Sequence, residues 1–364
     1  MRSTVGALAA SGLFLFACGK SAPKAEDKSE AKTETKPEAK AEAKSESKGK
    51  IGCAIYKFDD TFMSYVRNKI ESSAKGKIEL SVQDSQFDQP KQNDQVDQFL
   101  TQGATSLAIN LVDPPAVSVI IEKAKAKNIP VVFFNREPAA ADMAKYDKAY
   151  YVGAKAQQSG TMEGEIVVDF WKAHPEADKN KDGKIQYVML MGDPSNSDAA
   201  LRTEYSIKAI EAAGLKVDKL ADDTAMWDKI KGQEKTAAWL AKFGDKIEVV
   251  LANNDDMALG AIEALKAAGY FKDKKSMPVV GVDATPPALD ALEQGLLVGT
   301  VLNDAEKQGQ ATFDLAYALG TGAKDVSTTA APLASADGAP GAGGKYVWVP
   351  YVKVTKENYK TFKK

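Results

Sequence analysis

The chain has 364 residues, 44 % hydrophobic and 27 % charged, which is enough for two domains with a sizeable core in each. A formal net charge of −2, with no basic stripe interleaved with aromatics, gives no footprint for nucleic acid. Two cysteines and one histidine leave little for a disulfide framework or for thiol or histidine catalysis.

Residues 1–18 read as an export signal. Arg2 gives a cationic start, Val5 to Ala17 are apolar or small, and the run is too short to span a bilayer. It ends in Leu15-Phe16-Ala17-Cys18, which resembles a bacterial lipoprotein signal; a plain secretory signal or a weak membrane segment is the alternative. On the lipoprotein reading Cys18 is lipidated, and two or three acyl chains anchor firmly at about 0.8 kcal/mol per buried methylene. The protein is then exported and held on a bacterial membrane, facing the periplasm or the cell exterior. Cys53, in an apolar run, reads as a small core residue.

Residues 19–50 are Lys, Glu, Ala and Ser with little else. Lys recurs every fourth residue from Lys20 to Lys48 and Glu every fourth from Glu26 to Glu46. In a helix that register stacks like charges, and no apolar stripe exists to offset them, so a disordered tether is expected. Its root-mean-square reach is roughly 30 Å.

From Ile51 the pattern is strand, polar burst, amphipathic helix, repeated. Apolar runs at 51–56, 78–83, 105–109, 129–134, 185–191, 247–252, 278–282 and 298–302 predict strands. Between them, 91–102, 116–127, 155–172, 199–213, 256–268 and 305–319 predict helices. Strands separated by single helices imply α/β parallel sheets covered on both faces, and their number favours two doubly wound lobes. Residues 321–344, rich in Ala, Gly, Ser and Thr, read as a long loop. No glycine-rich phosphate motif follows a strand.

In open α/β sheets, ligands bind beyond the carboxyl ends of the strands. Here those ends carry Tyr56 to Phe62, Asn110 to Pro114, Asp193 to Asp198, Asn253 to Asp255, Asp283 to Pro286 and Asn303-Asp304. Any one Asp or Asn after a strand commonly caps the next helix. Six such bursts together with Phe62 and Trp227 favour a small polar ligand. Sugar hydroxyls suit planar bidentate partners, and sugar C–H faces suit aromatic rings.

The blocks YKFDDTFMS, DSQFDQPKQNDQ, LAINLVDP, VVFFNREP, YDKAYYVG, DTAMWD, IEVVLANNDDMALGAIEALKAAG and TVLNDA resemble the bacterial periplasmic glucose/galactose-binding proteins of the methyl-galactoside ABC transport system. The similarity runs from Ile51 to the C-terminus. It implies two Rossmann-like doubly wound lobes joined by a three-segment hinge, the type I periplasmic binding protein fold. The implied N-terminal lobe is 51–129 with 305–346, and the C-terminal lobe 130–304 with 347–364. The crossings then fall near 129–131, 303–305 and 346–350. The resemblance implies Phe62 and Trp227 on the two faces of a hexose, glucose or galactose. Asp60, Asn110, Asp198, Arg202, Asn254, Asp283 and Asn303 would hydrogen-bond it, with Tyr56 nearby and Asp60 at the 4-hydroxyl. Asn196 stands where the family has a histidine. With that histidine absent, no implied contact has an ordinary pKa between pH 5 and 8, so binding is expected to be flat across that range.

Asp178-x-Asn180-x-Asp182-Gly183 matches the start of a calcium loop, but Met189 stands at the twelfth position, so the residues alone also allow a simple turn. The resemblance implies a Ca2+ site made of Asp178, Asn180, Asp182, the Lys184 carbonyl, Gln186 and the distant Glu248. It also implies a monomer that delivers sugar to an ABC permease in the membrane and presents its closed form to a chemoreceptor, with no enzymatic activity. His174 reads as solvated, and no nucleophile elbow is present. A surface sugar sensor or adhesin uncoupled from transport is the alternative.

Overall fold

The computed structural model describes residues 49–272, 275–323, 326, 328–338 and 344–363. The export signal, Cys18 and the tether to residue 48 lie outside the described residues. Lys50, read as the end of the tether, is the first residue of a strand. The strands are β1 (Lys50–Ile55), β2 (Glu79–Asp84), β3 (Ser106–Ile109), β4 (Val131–Phe134), β5 (Ala149–Gly153), β6 (Lys184–Met191), β7 (Lys216–Thr224), β8 (Val249–Ala252), β9 (Val279–Val280), β10 (Gly299–Leu302), β11 (Leu333–Ala334), β12 (Tyr346–Trp348) and β13 (Val352–Thr355). The helices are α1 (Thr61–Ala74), α2 (Gln89–Thr101), α3 (Val117–Ala126), α4 (Ala140–Met143), α5 (Ala156–Ala173), α6 (Ser197–Ala212), α7 (Lys229–Phe243), α8 (Asp255–Ala267), α9 (Pro286–Glu293) and α10 (Ala305–Thr321).

Two sheets result, ordered β11-β12-β5-β4-β3-β1-β2 and β13-β10-β9-β8-β6-β7. Pairing is parallel except at one edge of each sheet, where β11 runs against β12 and β13 against β10. Alternating side chains feed two cores per sheet. Ile51, Cys53 and Ile55 pack with Val66 of α1 and Phe313 of α10, whereas Ala54 packs with Phe99 of α2 and Ile120 of α3. In the second sheet Val188 and Leu190 meet α7, α8 and α9, while Tyr187 and Met189 meet Ile166 of α5 and Ile210 of α6. Helices thus cover both faces of both sheets, as strands buried on two sides require. Cys53 is core, and burial pushes its thiol up to about 12.

The sequence reading put the first crossing twenty residues too early. All four β4 side chains are buried in the first lobe's cores, and β4 pairs with β3 and β5. The chain therefore leaves the first sheet only between Gly153 and Ala156, so 131–153 belongs to the first lobe and not to the second. The second crossing stands where expected, at 303–304, while the third lies between Trp348 and Val352, so Val347 and Trp348 belong to the first lobe and not to the second. Within the long loop over 321–344, Leu333–Ala334 forms a short strand.

Candidate functional site

The strand ends of the two lobes face each other. β1 runs into Tyr56 and Asp60, β4 into Asn135 and Arg136, β6 into Asn196 at the head of α6, and β8 into Asn254 at the head of α8. Tyr56, Asp60, Phe62, Met63, Asn135 and Arg136 from the first lobe line one cavity with Asn196, Asp198, Arg202, Trp227, Asn254 and Asp283 from the second and Asn303 from a crossing. Their side chains leave a free volume of about 30 Å³, room for about two waters.

Capping and cavity lining are not exclusive. Asp60 Oδ1 accepts the Met63 N–H at 2.7 Å and caps α1, while its Oδ2 accepts the Tyr56 hydroxyl at 2.5 Å. Asn196 caps α6 by accepting the Asp198 N–H at 3.2 Å. Asn254 Oδ1 accepts the Met257 N–H at 3.0 Å, and its amide donates to the Trp227 carbonyl at 3.3 Å. Helix capping thus holds each of these side chains still at the mouth of the cavity, and preorganisation is the benefit.

Trp227 reaches the cavity through strained backbone. Met226 and Trp227 both have positive φ, 55° and 63°, a conformation uncommon for bulky residues and concentrated at functional sites. Gly192 is what admits the indole: a Cβ there would lie 2.1 Å from the ring. Arg202 sits 5.6 Å from the indole centroid; its Nη1 donates to the Asn253 carbonyl at 2.7 Å, and its Nη2 to Asp198 at 3.3 Å and to the Tyr351 hydroxyl at 3.1 Å.

Asn110, the remaining candidate from the sequence, does not line the cavity. Its side chain is wholly buried; Oδ1 accepts the Tyr56 N–H, and Nδ2 donates to the Phe134 carbonyl and to Asn135 Oδ1. It ties β1 to the end of β4, and the amide that reaches the cavity is Asn135. Sequence reasoning also missed Arg136. Its guanidinium lies 3.9 Å over the Tyr56 ring, and Nη1 donates to the Val112 carbonyl and to Asp193 Oδ2, both at 2.8 Å. Its Nη2 is buried without a partner. The signal was the Asn135-Arg136-Glu137 burst after β4, as polar as the six that were used.

The carboxyls of the site are raised by burial. Burial pushes Asp283 well above the usual carboxylate range, outweighing Arg202 and the Asn303 amide. Asp198 is raised by burial against the pull of Arg202 and Arg136. Glu137, beside the cleft, is pushed up to about 7 by burial and by Asp198, against Lys155.

The family model described as the periplasmic binding protein domain matches residues 51–324. The chain belongs to that family. Over 318 residues it is 46 % identical to the D-galactose/methyl-galactoside binding periplasmic protein of Haemophilus influenzae, covering 86 % of this chain and 92 % of that one. It is 32 % identical to the putative rhizopine-binding protein of Rhizobium meliloti, over 86 % of this chain and 92 % of the relative. Among solved structures it is similar to an ABC transporter solute binding protein from Bacillus halodurans with bound myo-inositol. That match has a TM-score of 0.69 at 27 % identity and covers 87 % of this chain and 97 % of the other. The periplasmic binding protein fold expected from the resemblance is therefore the observed one.

In this periplasmic binding protein the acidic loop before β6 curls on itself. Asp178 accepts the N–H groups of Asp182 and Gly183, Asn180 that of Asp182, and Asp182 that of Lys184. Glu248 joins from the start of β8, accepting the N–H groups of Lys179 at 2.7 Å and Gln186 at 3.1 Å. Burial raises the Glu248 carboxyl, and the charge of nearby Asp178 raises it further. Gln186 donates its amide to Asp182, yet its Oε1 is buried with no partner. Among the described residues no group of three or more His, Cys, Asp and Glu side chains converges as a metal centre would require.

Proposed function

We propose that this protein is the sugar-binding component of an ABC importer and binds D-galactose or D-glucose between its lobes. The observation that carries the reading is the cavity. Two aromatic residues from opposite lobes, Phe62 and Trp227, share it with seven side-chain carboxyls and amides and two guanidiniums. Such a set matches the hydroxyls and C–H faces of a neutral sugar. The Haemophilus relative, a D-galactose/methyl-galactoside binding periplasmic protein, supports the same ligand class. Delivery to a membrane permease follows from that role. The Leu15-Phe16-Ala17-Cys18 run supports lipid anchoring on the periplasmic face, with the Lys- and Glu-rich stretch 19–48 as the leash.

The loop after α5 fits a structural Ca2+ held by Asp178, Asn180, Asp182, the Lys184 carbonyl, Gln186 and Glu248. The unpartnered Gln186 Oε1 and the neighbouring acids Asp178 and Glu248 support that fit. Calorimetric titration with a panel of monosaccharides tests the ligand. A Kd near 1 µM, about −8 kcal/mol, is expected for galactose or glucose. Binding of a pentose or an amino acid with no heat from either hexose overturns the reading.

A further inference from the structure

Glu163 is fully buried on α5, does not line the cavity, and has no side-chain partner and no well-formed hydrogen bond to either carboxyl oxygen, the backbone of Ala252 being the one donor near it. Arg202, which does line the cavity, has one nitrogen without a partner, Nε. The two residues are brought together by glycines. A Cβ on Gly160 would lie 2.8 Å from the Arg202 carbonyl, and one on Gly164 would lie 2.3 Å from the Ser206 carbonyl. Gly160, Glu163 and Gly164 share one helical face, so α5 lies backbone-close on α6 with the Glu163 side chain on the contact face. That side chain lies beside the backbone of Ala252, one residue before the Asn253 carbonyl that receives Arg202 Nη1. The charged groups acting on it are Arg202 from α6 and Asp255 from the start of α8.

Three buried polar atoms without a well-formed hydrogen bond are costly, since each forfeits its bonds to water. Together they match the usual coordination of an internal water, about three hydrogen bonds. We propose that Glu163 is a positioning residue for Arg202: its carboxyl and the Arg202 Nε–H share one internal water, which fixes the guanidinium at the ligand. Burial outweighs Arg202 and raises the Glu163 carboxyl well above its ordinary range, which favours the neutral acid. A neutral carboxyl donates its O–H to the water and accepts from it, and an amide can do the same. A charged carboxylate in that place would draw the guanidinium away from Asp198 and the cavity.

The proposal rests on Arg202 as a ligand-facing group, but its test does not need the ligand. In the full chain, the Arg202 Nε–H is followed by NMR and assigned by its loss in Arg202→Lys. Exchange with solvent is expected to be slow in the parent and in Glu163→Gln, and at least tenfold faster in Glu163→Met. Galactose affinity is expected within twofold of the parent for Glu163→Gln and at least fivefold weaker for Glu163→Met. A parent Nε–H that exchanges as fast as a surface arginine overturns the proposal, whatever the variants do. So does Glu163→Gln behaving like Glu163→Met. Should no hexose bind the parent, the sugar reading falls while the exchange rates still decide the role of Glu163.

Discussion

Arg136 Nη1 in the first lobe and Asp193 Oδ2 in the second lie 2.8 Å apart, with both side chains buried. Thr61 on α1 also donates its hydroxyl to Asp256 on α8 at 2.6 Å, and Lys57 stands 3.9 Å from Asp228. The two lobes are therefore pinned across the cavity by one desolvated ion pair and two more exposed contacts. Breaking a buried pair by removing one partner costs about 3–5 kcal/mol, which makes the Arg136–Asp193 contact the one to test.

Asp193→Ala leaves the Arg136 guanidinium buried against Tyr56 with only the Val112 carbonyl. Opening the lobes rehydrates it, so the substitution is expected to favour the open form. Hexose affinity should drop by a factor of 10² or more, and the radius of gyration in sugar solution should exceed the parent's. Affinity within threefold of the parent would show that the pair is incidental to closure.

Much of this was legible in the sequence because parallel strands buried on both faces write themselves as continuous apolar runs. β1, β3, β6, β8 and β10 all did. β7 did not: Lys216–Thr224 is an edge strand with no fully buried residue, so its polarity hid it. β5 lay behind the polar stretch Lys145 to Lys148, and the first crossing, taken from the family resemblance, fell before it and put β4 in the wrong lobe. The same displacement explains Asn110. Both Asn110 and Asn135 follow a strand of the first sheet, and pattern alone does not say which amide turns inward to hold backbone and which reaches the cavity. Arg136 was hidden for another reason. Its partner Asp193 is 57 residues away in the other lobe, and no local spacing encodes that contact.

Trp227 is expected to be an energetic centre of the site rather than a core residue. Its backbone is held at positive φ and the strand end beside it is bare at Gly192, both of which serve to present the ring. Trp227→Ala removes one aromatic face from a desolvated cavity and should weaken hexose binding by about 1–3 kcal/mol. Fluorescence quenching on sugar addition should disappear with it. An affinity unchanged within twofold would assign the indole to packing with Trp239 and Met257 instead.

The loop before β6 predicts a metal-dependent stability. A cation that binds only the folded chain at 100 times its Kd adds about 2.7 kcal/mol. Chelator should therefore lower the melting temperature of the parent by several degrees. Glu248→Gln, which removes the acid near Asp178, should blunt that response. Gln186→Leu should do so too, by removing the unpartnered Oε1. Identical melting with and without chelator, and no calcium by elemental analysis of the purified protein, would reduce the loop to a turn.

Burial pushes Asp255 up to about 7, and Glu137 adds to the pH dependence in the same range. Its carboxyl titrates at about 7 in the folded chain against an ordinary 4.5, first because it is buried and second because Asp198 is near. Between those values the folded chain holds a proton that the unfolded chain has released, so stability falls as pH rises. The contribution is fully present below about pH 4.5 and is lost as pH climbs through about 7. Asp198, raised by the same burial, acts with the same sign. Glu137→Gln keeps the neutral form at every pH. It should melt with the parent at pH 5 and above the parent at pH 8, and its galactose affinity should vary less between those values. Parallel melting curves for the two proteins from pH 5 to 8 would mean that Glu137 ionises normally in the folded chain, and that the flat pH profile expected from the absence of histidine in the site is the correct one.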